Sequence, residues 1–283
     1  MLTQYREHVG AAVEQEERRV RLVAGDCTIL RLLAEFVHLQ RSHVSALTRR
    51  GRKIVERRLR ALEEMEYARP LALPDDRWGE RAWFLTPKGW NFAWEEGWTE
   101  RRIEGTLEKS SKNLRHDLEI TQLHFAIRDA FADGLTFWNQ HYHRIHHRWG
   151  RGEYDVVNPD AFFVLSGEKD HPFFFENAKV REFSYRDGES ALERKMRGYA
   201  EYADEAFKEK WDFDNFRVLV FFPTAERAAN FREKMRKAGG ALSTKRFFFG
   251  AWENFDSKKI WLLNARDESV SYLSDIVGRG TNR

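Results

Sequence analysis

One cysteine in 283 residues, Cys27, leaves no partner for an internal disulfide, and its place at the start of an apolar-periodic stretch reads as a small buried residue. No apolar run reaches membrane-spanning length and none reads as a secretory leader, so a cytoplasmic chain without a membrane partner is expected. A large excess of charge of one sign is also lacking. The formal net charge is only +3, so any electrostatic partner must be sought in how the charges are distributed. Residues 86–135, which connect the two halves, hold no flexible Gly/Ser linker, which predicts domains joined by packed helices. What remains is an ordinary balance of 42% apolar and 33% charged residues, long enough to fill two modest cores.

The amino-terminal part reads element by element. Asp26 is expected to cap a helix carrying Ile29, Leu30, Leu32, Leu33, Phe36 and Val37 on one face. Ser42 is expected to cap a second helix, with Val44 and Leu47 inward, and Gly51 breaks it. A third helix follows in KIVERRLRALEEMEY, with Ile54, Val55, Leu59, Leu62 and Met65 as its buried stripe. Around its start lie Arg49, Arg50, Arg52, Lys53, Arg57, Arg58 and Arg60 against a single acid, Glu56. Two short strands, around Leu71 and from Trp83 to Leu85, flank a Pro/Asp/Gly turn. Three helices and a hairpin make the winged helix-turn-helix plan, in which the second of the two closely spaced helices, here the third helix, enters a DNA major groove by its N-terminal part. Double-stranded DNA is therefore the expected partner, with Arg49, Arg50, Arg52, Lys53, Arg57 and Arg58 as the contacting set.

Pro87 suits a helix start, and Trp90, Phe92, Trp94 and Trp98 behind it read as a hydrophobic closing piece or a dimer surface. The segment LEKSSKNLRHDLEITQLHFAIRDAF carries Leu114, Leu118, Ile120, Leu123, Ile127 and Phe131 at helical spacing and is expected to open the second domain. The expected boundaries are 1–105 for the winged helix with its helical extension and 106–283 for the rest. From Thr136 the pattern turns to strands: TFWNQHYHRIHHRW, Asp160 to Leu165, and His171 to Val180. A helix over 189–210, the continuous apolar run RVLVFFP of a strand covered on both sides, the helix TAERAANFREKMRKAGG, and the strands RFFFG and IWLLN complete it. That order is the one used by restriction-endonuclease-like folds of the PD-(D/E)xK type. The fold class expected is thus α+β, a winged helix-turn-helix followed by an α/β nuclease-like domain.

In such a fold an Asp and a Glu on neighbouring strands hold a divalent cation, because Mg²⁺ prefers hard oxygen ligands. Asp160 and Glu176 occupy these places, and Mg²⁺ is the expected cofactor. The usual Glu-x-Lys is missing, since Ala178 stands two beyond Glu176 and Lys179 falls on the opposite face. Lys195, Arg194 or Arg197 from the next helix, or a side chain from the helix bearing Glu119, can supply what is missing. The catalytic candidates are therefore Asp160, Glu176, Lys179 and Lys195, and the metal candidates Asp160, Glu176 and Glu119. The other reading of the same residues is a nuclease-like scaffold kept for DNA binding or dimerisation, its acids held in hydrogen bonds or salt bridges. His141, His143 and His147 share a strand face and could form a small zinc site, although Arg144 and Arg148 favour phosphate contacts.

GDCTILRLLAEFVHLQRSHVSAL, VERRLRALEEMEYARPL, WFLTPKGW, HDLEITQLHFAI, NPDAFF and FFFENAKV, taken in this order, resemble the replication-relaxation family of plasmid and mobile-element proteins. The resemblance implies a winged helix, a nuclease-like domain and a role in replication, relaxation or mobilisation of plasmid DNA. Replication or mobilisation proteins and a second copy of the chain are the partners it adds. In the family the third strand usually carries Glu-hydrophobic-Asp, and Glu176-Asn177-Ala178 keeps only the first acid. Two functions from different classes stand at this point: a metal-dependent nicking enzyme delivered by the winged helix, and a non-catalytic regulator or initiator accessory.

Overall fold

The computed structural model describes residues 21–72, 80–99, 111–131, 134–139, 145–149, 153–167, 169–178, 185–186, 189–205, 207–211, 213–242, 245–256, 259–266 and 270–278. The fold is α+β. Two compact units divide it, Met1–Leu118 and Glu119–Arg283. Among the described residues no helix is long and apolar enough to cross a membrane.

The first unit runs α1 (Ala24–Phe36), β1 (Leu39–Gln40), α2 (Arg41–Thr48), α3 (Arg52–Glu64), β2 (Ala68–Leu71), β3 (Ala82–Leu85) and α4 (Pro87–Glu95), and takes in the start of α5 (Ser111–Phe131). Ile29, Leu30, Leu33 and Phe36 of α1 are buried, as are Val55, Leu59 and Leu62 of α3, so the helical stripes form the core. The three strands pair antiparallel in the order β1-β3-β2, with Leu39 opposite Trp83 and Leu71 opposite Ala82. Thr86 caps α4 by accepting from the Gly89 amide at 3.1 Å, and Pro87 fills the first helical position. Gly89 must be glycine, because a Cβ there would lie 2.1 Å from the Tyr67 carbonyl oxygen.

Three expectations change here. Asp26 is not the cap of α1: the helix begins at Ala24, and Asp26 reaches back from the third position to accept from the Val23 amide at 2.9 Å. Ser42 lies inside α2, and its amide and hydroxyl both donate to Glu80, at 2.8 and 3.1 Å. Ile54 is not part of the buried stripe. It is 48% exposed, because the spacing of Val55, Leu59 and Leu62 fixes the inward face and leaves Ile54 beside it.

At the start of α5, Asp117 accepts from His38 Nδ1 at 2.7 Å and lies 3.3 Å from His116 Nδ1. Burial acts to raise the Asp117 carboxyl, yet the bonds from His116 and His38 hold it well below the usual carboxylate range.

The second unit continues through β4 (Leu135–Asn139), β5 (Ile145–Trp149), β6 (Glu153–Val157), β7 (Ala161–Ser166), β8 (Asp170–Asn177), β9 (Tyr185–Arg186), β10 (Glu189–Ser190), α6 (Ala191–Glu205) and α7 (Phe207–Lys210). It then adds β11 (Arg217–Phe222), α8 (Ala225–Ala238), β12 (Phe247–Ala251), β13 (Trp261–Asn264), β14 (Val270–Tyr272) and α9 (Leu273–Ile276). Seven strands make one sheet in the order β14-β13-β12-β11-β8-β7-β4, parallel at β8-β11 and β11-β12 and antiparallel elsewhere.

Strand alternation splits the core in two. Phe162, Phe174, Val218 and Val220 face Met196, Tyr199 and Phe231 of α6 and α8, while Phe163, Phe173, Phe175, Leu219 and Phe221 face Ile120, Leu123 and Ile127 of α5. The continuous run in β11 is therefore covered on both sides, and each fully buried Phe contributes roughly 1.5–3 kcal/mol.

Candidate functional site

In the first unit the candidate is the start of α3. Arg49 ends α2 in the left-handed region at φ 54° and ψ 31°, where a side chain is strained and glycine is favoured. Gly51 then caps α3 without any side-chain bond, and a Cβ on it would meet nothing within 4 Å. The first turn holds no acid, only Arg52, Lys53 and Ile54, with Arg57 one turn on. Arg49, Arg50, Arg52, Lys53 and Arg57 are all exposed. Among the described residues none of the five meets a carboxylate.

Two features of this arrangement oppose stability. Cations crowd the end of the helix where the macrodipole is positive, and Lys53 and Arg57 stand four apart as like charges. The helix keeps them regardless.

Arg58 departs from the expected set. Its Nε donates to Asp26 Oδ1 at 2.7 Å and its Nη2 to Asp26 Oδ2, so the guanidinium grips a fully buried carboxylate and joins α3 to α1. The bond to Asp26 raises the Arg58 guanidinium further above its ordinary range. Arg60, further along the helix, pairs with Glu56 at 2.7 Å, and Arg41 reaches the other oxygen of Glu56 at 2.9 Å. Arg50 lies against Gly25 of α1, where an added Cβ would strike its guanidinium.

In the second unit the candidate lies at the ends of β7 and β8. Their register pairs Ala161 with Phe175, which sets Asp160 opposite Glu176, and the Asp160 amide donates to the Phe175 carbonyl at 3.0 Å. Both side chains belong to the α6 face, since Phe162 and Phe174 do. Glu176 is fully buried. Lys195 Nζ donates to its Oε2 at 2.7 Å and the Tyr199 hydroxyl to its Oε1 at 2.7 Å. Lys195 and Tyr199 stand four apart on α6, so one helical face presents both donors. Asp160 Oδ2 accepts from the Asn177 amide at 2.7 Å.

Glu119 does not join this pair. Its Oε2 accepts from Asn177 Nδ2 at 2.8 Å, while Trp252 Nε1 donates to Asn177 Oδ1 at 2.8 Å, and Asn177 points to the face opposite Glu176. Lys179 lies outside the described residues, as do His141, His143 and Arg144; of the side chains of His147 and Arg148 nothing is described. Tyr199, which no motif in the sequence singles out for the site, is a second residue that holds Glu176.

The profile of the replication-relaxation family matches residues 30–216, two-thirds of the chain. The chain belongs to the replication-relaxation family. The matched span of this replication-relaxation protein holds the cationic start of α3 as well as Asp160, Glu176, Lys195 and Tyr199. A solved structure of Lactococcus lactis ZitR, C30AH42A mutant, is similar over 44% of this chain and 82% of its own at 18% identity. Its TM-score is 0.25, and the likeness carries no argument. A search of curated proteins gave no match.

Mg²⁺ can be tested against the donor set. A hard cation needs carboxylate oxygens with free lone pairs turned toward it. Both oxygens of Glu176 already accept, one from an ammonium, and the third acid expected there stands on the other face of the sheet. Among the described residues no group of three or more His, Cys, Asp or Glu side chains could hold a metal ion. A cation at Glu176 would have to compete with the Lys195 ammonium for the same carboxylate. Lys195 supplies the positive charge that Glu176 needs.

Proposed function

We propose that this replication-relaxation protein binds double-stranded DNA of a plasmid or mobile element, acting in its replication, relaxation or mobilisation through a winged helix-turn-helix. The observation that carries the reading is the start of α3: exposed cations set where they weaken their own helix and, among the described residues, without an acid. An anionic partner would stabilise such charge, and the order α1-β1-α2-α3-β2-β3 with the sheet β1-β3-β2 supports a winged-helix reading in which α3 would enter the major groove. Phosphates release counterions on contact with these side chains, which gives sequence-independent affinity. Replication or mobilisation proteins follow as partners on that DNA, and a second copy of the chain would set the spacing of half-sites.

The second unit is proposed to be a restriction-endonuclease-like scaffold whose Asp160 and Glu176 are held by hydrogen bonds and an ion pair instead of a cation. Support comes from Lys195 and Tyr199 on Glu176. Anisotropy titration of the full chain with a labelled mixed-sequence duplex at low salt tests the first part; saturable binding is expected, and its absence refutes the reading. Incubation of supercoiled plasmid with Mg²⁺ or Mn²⁺ tests the second, with intact plasmid expected. Nicking by the wild type that Asp160→Ala abolishes would restore the enzymatic alternative.

A further inference from the structure

We propose that Ile54 is a specificity-determining residue that reads the 5-methyl group of a thymine in the major groove. The inference rests on the duplex-binding reading above and deepens it, because the cations of α3 carry affinity for any sequence and leave open what selects one.

Ile54 is a large apolar side chain, 48% exposed, on a helix whose inward face is already filled by Val55, Leu59 and Leu62. A single exposed apolar residue is ordinary on a protein surface. Its company makes this one different. Lys53 precedes it in the first turn and Arg57 lies three residues on, the spacing at which helical side chains are neighbours, and both are exposed. Arg49, Arg50 and Arg52 stand just before it, and the cap residue is Gly51, beside which a Cβ would find open space. A surface that approaches Ile54 must therefore accept several cations around one apolar contact.

A protein partner fits this poorly, since interface cores are depleted of charge and place the apolar group among other apolar groups. The major groove fits it. Phosphates line the rim, and among the base edges the thymine methyl is the one apolar feature. A β-branched side chain on the first turn of the inserted helix has few rotamers to lose and presents two carbon branches to that methyl. The contact discriminates A·T from G·C by dispersion and desolvation, with no hydrogen bond needed.

The test is selection of bound duplexes from a random-sequence pool by the full chain, wild type and Ile54→Ala, followed by replacement of each selected thymine with deoxyuridine. The wild type is expected to select a thymine that Ile54→Ala does not, and to lose about fourfold in affinity when that thymine lacks its methyl, the worth of one buried methylene-sized group. Ile54→Ala is expected to bind the two duplexes equally, and Ile54→Val to keep the preference. If the wild type binds the pool but is indifferent to deoxyuridine at every selected position, or if Ile54→Ala keeps the same preference, the role of Ile54 is overturned while duplex binding stands. If neither protein binds the pool at low ionic strength, the duplex reading falls and this inference falls with it.

Discussion

The basic side chains of α3 and those of α6 make opposite use of the same chemistry. On α6, Lys195 meets a fully buried carboxylate at 2.7 Å and the pair closes on itself. At the start of α3, Arg49, Arg52, Lys53 and Arg57 face solvent with, among the described residues, no acid to answer them. A lysine that neutralises its own fold has little left for a phosphate, whereas a cation held against the helix dipole is available to one. Arg58 draws the line within a single helix, because it stands next to Arg57 and yet belongs with Lys195 in kind.

The sharpest break of the comparison is Lys195→Met. Removing the ammonium leaves Glu176 buried and charged with the Tyr199 hydroxyl remaining, so a loss of about 3–5 kcal/mol in denaturant unfolding is expected, with duplex binding kept in the protein that remains folded. A stable variant that has lost duplex binding would place the working cation in the wrong unit.

Acid should distinguish the buried groups from the exposed ones. Burial among Trp138 and its neighbours, reinforced by Arg128, pushes the His124 imidazole down to about 3 from 6.5, and burial pushes His43 down to about 4. Between pH 6.5 and 3 the unfolded imidazole binds a proton that folded His124 refuses. Stability is therefore full above that window and falls as pH drops through it, with a steepest slope near 1.4 kcal/mol per pH unit from one such group. Urea melts of His124→Leu against wild type between pH 7 and pH 4 check this; the variant should show the shallower dependence.

Smaller effects should carry opposite signs in two assays. Arg49→Gly relieves a left-handed residue and is expected to stabilise by about 1 kcal/mol. Lys53→Glu places an acid at the positive end of the helix and is expected to stabilise by about 0.3–1 kcal/mol. Both should weaken duplex binding several-fold. Variants that were less stable and bound as well would dissolve the contrast.

The helices were legible in the sequence because Val55, Leu59 and Leu62, like Ile29, Leu33 and Phe36, repeat at the helical period. Ile54 was misplaced since the inward face of this helix centres on Val55, Leu59 and Leu62, and only the following turns show that Ile54 falls outside it. Strand β1 was invisible, two residues being too few to show alternation. Asp26 satisfied the composition of a cap but not its position, for the helix starts two residues earlier. In the second unit, the placing of Asp160 and Glu176 on neighbouring strands could be read from their runs. What could not be read was the far side of the bargain: which cation from α6 reaches Glu176, and that Glu119 meets Asn177 on the other face. Both depend on packing of helices against the sheet, which no local pattern encodes.

The most direct test of duplex binding through the exposed cations of α3 is the salt dependence of affinity for a mixed-sequence duplex, wild type against Arg52→Ala/Lys53→Ala/Arg57→Ala. Three lost phosphate contacts should make the logarithmic slope shallower by about 2.7. An unchanged slope would contradict the account.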